Sequence, residues 1–240
     1  MEEADRRRAL EESARTGLRI LTPSEDGETA AGVSWVDLYA RHPIGSRLKR
    51  LIDIVFGIVF IVLSAPILIF ITVFIRIVGR GPAIYVQRRI GFRCTEFDMY
   101  KFRTMVPGAD RHEAQLKQSD DAFLKVTNDP RITGWGRFLR RYSIDELPQL
   151  FNVLAGSMSL VGPRPLLLSD LGNFPLRNQM RRFSVHPGLT GLWQVSGRSA
   201  TSEEDRLELD KQYVNEWSLW LDLKILVRTV GAVLSGRGAV

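Results

Sequence analysis

The sequence predicts a mainly α protein with a minor β component. A kinked, re-entrant helical hairpin is set into one leaflet of a membrane, and a cytosolic globular domain with interfacial amphipathic helices follows it. Three observations predict this. Residues 54–75 form 22 consecutive uncharged positions, 18 of them apolar, with Pro66 in the middle. Basic residues bracket the run at both ends: Arg41, Arg47, Lys49 and Arg50 before it, and Arg76, Arg80, Arg88, Arg89 and Arg93 after it. The 160 residues beyond position 80 mix two short β-branched and aromatic strings with several helical patterns, and they end in a segment rich in Trp, Leu and Val.

The elements follow in chain order. Residues 1–45 read as a flexible extension. The first 33 carry eight acids and five bases and no apolar run, and Met1-Glu2-Glu3 is the reverse of a secretory leader. Residues 4–16 have the composition of a short charged helix, and residues 22–32 that of a linker.

The membrane element is assigned to residues 46–80. A straight helix over the uncharged run would cover ~33 Å, enough for a hydrocarbon core of ~30 Å. Pro66 removes one helical hydrogen bond and crowds the preceding turn, and Ser64 is placed to bond a freed carbonyl. Basic residues favour the cytoplasmic side, so two basic flanks are explained when both ends lie there. Each arm of such a hairpin spans ~15 Å, half the core. A plain transmembrane helix with a tolerated proline is the other reading that the run allows.

Residues 81–236 form the globular domain. Residues 83–87 and 96–102, separated by Gly91, read as a strand pair. Residues 107–125 are polar with helical composition, 137–141 form a basic cluster, and 148–154 and 201–214 read as helices. Pro163-Arg164-Pro165 is a rigid, extended corner. Residues 217–234 suit either a helix at the membrane–water interface, with Trp at headgroup level and Lys and Arg snorkelling, or an amphipathic helix packed on the domain.

Composition narrows the chemistry. The chain has 33 Lys and Arg against 27 Asp and Glu, a net charge of +6 that favours anionic partners. A mean hydropathy of −0.06 excludes a multi-span protein. Cys94 is the only cysteine, which excludes an intramolecular disulfide and a Cys-based zinc site and fits a reducing compartment. The three histidines, at 42, 112 and 186, lack metal-ligand spacing, and neither a P-loop nor GxGxxG is present.

What stands out is an acidic pair in a basic setting, Asp145-Glu146 within Arg140-Arg141-Tyr142-Ser143-Ile144-Asp145-Glu146-Leu147-Pro148-Gln149. Ser143 and Glu146 have capping-box spacing, and Pro148 belongs to a first helical turn, which puts both acids near the positive end of a helix dipole. Capping alone accounts for such a pair. Catalysis on a phosphate would also need cations, because an anion attacking an anion must have its developing charge neutralised. Arg131, Arg137, Arg140, Arg164 and Lys101 are the candidates.

An ordered set of strings resembles the bacterial sugar transferases, the monotopic phosphoglycosyl transferases. The strings are Lys49-Arg50-Leu51-Ile52-Asp53, Gly81-Pro82, Gln87-Arg88-Arg89-Ile90-Gly91, Tyr100-Lys101-Phe102-Arg103-Thr104-Met105 and Asp129-Pro130-Arg131-Ile132-Thr133. Further along come Ser143-Ile144-Asp145-Glu146-Leu147-Pro148-Gln149, Met158-Ser159-Leu160-Val161-Gly162-Pro163-Arg164-Pro165, Pro187-Gly188-Leu189-Thr190-Gly191-Leu192-Trp193-Gln194, Gly197-Arg198 and Tyr213…Trp217-Ser218…Asp222. The likeness covers residues 46–235 and is greatest to exopolysaccharide-initiating members that consist of the catalytic domain alone, including a galactosyl-phosphate transferase.

The resemblance implies that Asp145 attacks the β-phosphate of a UDP-sugar. UMP leaves, and a polyprenyl phosphate such as undecaprenyl phosphate then takes the sugar-phosphate from the enzyme. It implies that Glu146 holds Mg²⁺, that Lys101, Arg140 and Arg164 lie near the bound phosphates, and that Asp210 is a further functional acid of the substrate site. It also implies a kink at Ser64 and Pro66 and a monotopic protein on the cytoplasmic face of the inner membrane. The sugar, galactose, glucose or another, and the choice between monomer and homodimer stay open.

Two departures from the family pattern are visible. Ser64-Ala65-Pro66 replaces a frequent Ser-Pro, which shifts or removes the serine rescue, and Val86 replaces a frequent arginine. Larger relatives carry further membrane helices and a preceding domain, so the chain is either a minimal member or a piece of a longer one. A non-catalytic, basic, lipid-binding scaffold is the alternative from another class. Nucleic-acid binding lacks any recognition motif.

Overall fold

A single long helix, α1 (Pro43–Val78, 36 residues), leads the fold. The computed structural model describes residues 42–109, 129–168, 180–197 and 201–235. The extension before residue 42, nearly all of the polar helix read at 107–125, and Arg198 lie outside these.

α1 opens on Pro43, whose fixed φ suits a first turn, and continues without interruption through Pro66. The proline leaves the Val62 carbonyl without its usual donor. Ser64 Oγ bonds the Phe60 and Ile61 carbonyls, at 2.6 and 3.4 Å, so it does not take up the freed Val62 carbonyl. Burial along α1 is split. Lys49, Asp53 and Gly57 are buried near its start and Ile71 and Ile75 near its end, while large apolar side chains between them are exposed. Both buried ends meet the same globular body. A Cβ on Gly57 would come 3.0 Å from Leu154, so this glycine serves close packing rather than a helix break. Ile71 and Ile75 join Ala83, Phe102 and Leu139 in a second core cluster.

The expected strand pair forms. β1 (Ile84–Ile90) runs antiparallel to β2 (Glu96–Phe102), in register from Ile84 opposite Phe102 to Ile90 opposite Glu96. α2 (Gly134–Arg141) carries the basic cluster and is capped by Thr133, which accepts from the Gly136 amide. α3 (Gln149–Ala155) matches the helix read at 148–154 and ends at Gly156, where φ of +89° suits glycine. A parallel pair, β3 (Ser159–Val161) with β4 (Gly188–Thr190), was not foreseen. Three-residue strands show no alternation to read. α4 (Leu192–Ser196), α5 (Glu203–Asn215) and α6 (Leu219–Ser235) complete the chain, and a Ser202/Asp205 capping box starts α5.

Two of the basic residues ahead of the apolar run turn inward rather than toward headgroups. Arg50 caps the C-terminus of α3 through the Val153 and Leu154 carbonyls, at 2.6 and 2.8 Å. Lys49 binds the Asp222 carboxylate of α6 at 2.7 Å and the Val161 carbonyl of β3 at 3.0 Å. Tyr213 and Trp217 complete Asp222, and Asp53 accepts from the Leu160 amide. One buried network thus ties the start of α1 to β3, α5 and α6. Both readings of residues 217–234 hold a share of α6: Asp222 and Ile225 are buried, while Trp220, Leu223, Val227, Val230 and Leu234 are exposed.

Candidate active site

Asp145 and Glu146 lie on a single 3-10 turn, Ile144–Glu146, directly ahead of α3. The acids therefore precede a helix N-terminus, as the Pro148 position implied. The predicted capping box does not form. Ser143 is left-handed, at φ 55°, and makes no side-chain cap. The Glu146 carboxylate is engaged elsewhere, drawn across by two cations.

Those cations come from β2 and from the 163–165 corner. Lys101 Nζ lies 3.0 Å from Glu146 Oε1, and an Arg164 terminal nitrogen lies 3.1 Å from the same oxygen. Glu146 Oε2 takes no bond from the described residues. Arg140 donates its Nε to Thr104 Oγ1 at 2.9 Å, so a threonine at the end of β2 aims it. Arg131 is closed on Asp129, with a shortest approach of 2.6 Å.

The two acids respond oppositely to this setting. Burial, and then the Glu146 charge, push the Asp145 carboxyl above the usual range against the pull of Lys101, Arg140 and Arg164. Burial acts on Glu146 in the same sense, but the charges and hydrogen bonds of Lys101 and Arg164 overcome it and hold Glu146 low. Asp145 is only 8% exposed, and its carboxylate has no hydrogen-bond partner among the described residues. A buried carboxylate that accepts no hydrogen bond, beside an anchored one, keeps its lone pairs free.

Asp145, Glu146, Lys101, Arg140 and Arg164 line one cavity of about 1620 Å³. Pockets for a single small ligand run to about 300–1,000 Å³, so this one has room for two substrates. Asp210 is placed differently. It stands behind the lining, fully buried, with Oδ2 on Arg182 at 2.5 Å and Oδ1 unpartnered. Burial pushes its carboxyl up to about 6 although Arg182 and Arg164 pull it down. Arg182 in turn donates to the Arg164 carbonyl at 3.0 Å, so Asp210 reaches the site through Arg182 and Arg164. Sequence reasoning missed Arg182 and Thr104 as site residues. Thr104 stood within a quoted string, but nothing marked Arg182, which belongs to no motif.

Among the described residues, no group of three or more His, Cys, Asp or Glu side chains is gathered to cage a metal. The donor set nonetheless fits Mg²⁺. That ion binds through one or two carboxylates and completes its shell with water and substrate phosphate oxygens, and Asp145 and Glu146 Oε2 are free to serve.

The acid pair shares one cavity with three cations, and α1 is a helix long and apolar enough to cross a membrane. The chain belongs to the bacterial sugar transferase family, which it matches over residues 44–236. It is 44% identical over 195 residues to the galactosyl transferase CpsE of Streptococcus agalactiae serotype III, covering 80% of this chain and 43% of that protein. It is 42% identical over 199 residues to the undecaprenyl-phosphate galactose phosphotransferase of Salmonella typhimurium, covering 80% and 41%. It is 39% identical over 213 residues to the exopolysaccharide production protein ExoY of Rhizobium meliloti, covering 83% and 91%. The chain thus spans about two-fifths of the length of the first two relatives and nearly all of the third.

Proposed function

We propose that this protein transfers a hexose-1-phosphate from a UDP-sugar to a polyprenyl phosphate, undecaprenyl phosphate in the first instance, by way of a phospho-aspartyl enzyme. The observation that carries the reading is the free, buried Asp145 carboxylate next to a Glu146 pinned by Lys101 and Arg164. The names of the Salmonella and Streptococcus relatives favour galactose as the sugar.

In the first half-reaction an Asp145 carboxylate oxygen attacks the β-phosphorus. The new bond joins that oxygen to phosphorus, and the bond to the bridging oxygen breaks, so UMP leaves with the bridging oxygen. In the second half-reaction a phosphate oxygen of the lipid attacks the same phosphorus and returns the carboxylate. Two displacements split one difficult step and predict ping-pong kinetics. Lys101, Arg140 and Arg164 face the charge that develops on the phosphoryl oxygens. Mg²⁺, held by Glu146 with Asp145 beside it, would supply further charge neutralisation on the diphosphate.

The membrane placement follows from the substrates. One is soluble and the other has its headgroup at the interface. Both buried ends of α1 meet the same globular body, which supports a re-entrant helix in one leaflet with the site on the cytoplasmic face. The test of activity is UMP release from a panel of UDP-hexoses with undecaprenyl phosphate and Mg²⁺. Release from one hexose, lost in Asp145→Asn, is expected. Full turnover by Asp145→Asn would sink the covalent route. Liposome binding with no UMP release from any donor would favour the scaffold reading. Tags before Pro43 and after Ser235 should report the same side of the membrane, and opposite sides would make α1 a spanning helix.

A further inference from the structure

The cavity that holds the acid pair is not basic throughout. Its lining includes Lys101, Arg140 and Arg164, the cations whose charges act on Asp145. The same lining includes hydrocarbon from two helices. α1 contributes Ile52, Phe56 and Phe60, which recur every four residues and so share one face. α6 contributes Leu223, Leu226, Val227 and Val230, again at helical spacing. The Lys49–Asp222 pair, which also lines the cavity, pins these helices together at 2.7 Å.

These side chains are not core. Phe56 and Phe60 are 44% and 38% exposed, and Leu223 and Val227 are 49% and 66% exposed. Bulk bilayer does not account for all of them. The most exposed residues of α1, including Leu63 and Phe70 at 71% and 70%, do not line the cavity, whereas Phe56 and Phe60 do. α1 therefore presents one apolar face to the cavity that Asp145 lines and another away from it. A cavity lined both by cations and by hydrocarbon complements a ligand built the same way: an anionic head on an apolar chain.

We propose that the cleft between Phe56 and Phe60 of α1 and Leu223, Leu226 and Val227 of α6 holds the head-proximal isoprene units of the lipid acceptor and delivers its phosphate to Asp145. This rests on the activity proposed above and assigns the acceptor its own subsite. A phosphate that carries a single isoprene unit has little chain to place between these helices, so it depends on the cleft least.

The test uses the whole chain in nanodiscs. Leu223→Trp and Val227→Trp fill the cleft at exposed positions, and Leu63→Trp is the control on the outward face. Three quantities are read: the burst of UMP from donor alone, the KM for undecaprenyl phosphate, and the kcat/KM for dimethylallyl phosphate. The cleft variants should raise the KM for undecaprenyl phosphate at least tenfold, with dimethylallyl phosphate and the UMP burst changed less than twofold. Leu63→Trp should match wild type. An unchanged KM in both cleft variants, or an equal rise in Leu63→Trp, would overturn the subsite while the burst still supports the activity.

A second arm does not need turnover. A diazirine-tagged farnesyl phosphate should label the stretches around Phe56–Phe60 and Leu223–Val227 on irradiation, and undecaprenyl phosphate should compete. Label confined to Leu63 and Phe70 would overturn the subsite even if wild type released no UMP, an outcome that would separately defeat the proposed activity.

Discussion

Two buried aspartates in this molecule are equally hidden and oppositely equipped. Asp222 is 7% exposed and Asp145 is 8%. Asp222 Oδ1 accepts from Tyr213 at 2.7 Å, and Oδ2 accepts from Lys49 at 2.7 Å and from Trp217 at 3.3 Å. Asp145 accepts from nothing among the described residues; the cations around it bond its neighbour Glu146 or a threonine instead. A buried carboxylate with every oxygen matched fixes positions, whereas one left unmatched is costly to keep and is available to react. The difference separates the two roles within one fold, and substitutions at each cluster should break it in different measurements.

The largest effect is expected at the unmatched acid. Asp145→Asn should reduce UMP release by at least roughly 10³-fold, as loss of a covalent nucleophile does. Its thermal unfolding in detergent should stay at or above that of wild type, since no hydrogen bond is removed. Next comes the matched acid. Asp222→Ala leaves Lys49 charged and buried and should destabilise by about 3–5 kcal/mol. The double change Lys49→Met with Asp222→Leu should recover part of that loss, and a double change no more stable than Asp222→Ala would show that the pair does not account for the cost.

Smaller effects sharpen the comparison. Lys101→Met removes one of the two donors to Glu146 and should slow UMP release about 10²-fold. It should also move the acid limb of the rate profile. On the proposed route only ionised Asp145 attacks, so the rate should fall as pH drops through a pKa that burial has raised. Lys101 lowers that pKa, so its loss should shift the limb to higher pH; a shift to lower pH would contradict the electrostatics described. The smallest change is expected for Asp210→Asn, which loosens Arg182 and through it the Arg164 carbonyl. A loss of roughly tenfold, about 1.4 kcal/mol of barrier, should appear in the rate, and Asp210→Glu should restore part of it.

The sequence made the site partly legible, and the reasons differ by residue. The acid pair and Lys101, Arg140 and Arg164 stood in local strings, and the structure brings all five to one cavity. The β1–β2 pair was readable because its strands are long enough to show β-branched and aromatic bias. β3 and β4 were not, because their pairing depends on a partner about thirty residues away. Lys49 and Arg50 were read as charges facing the membrane surface. A basic residue next to an apolar run looks the same in sequence whether it faces headgroups or caps a buried helix, and only packing decides. The Ser143 capping box failed for a related reason: Glu146 had stronger partners from β2 and the proline corner than a backbone amide offers.

The bond between Lys49 and Asp222 joins residues 173 positions apart. At a synthesis rate of about 5–20 residues per second, the ribosome makes the lysine roughly 10–35 s before the aspartate. During that interval Lys49 has no Asp222 to bond, so a chain stopped short of residue 222 should lack the latch between α1 and α6 and be cut more readily by proteases.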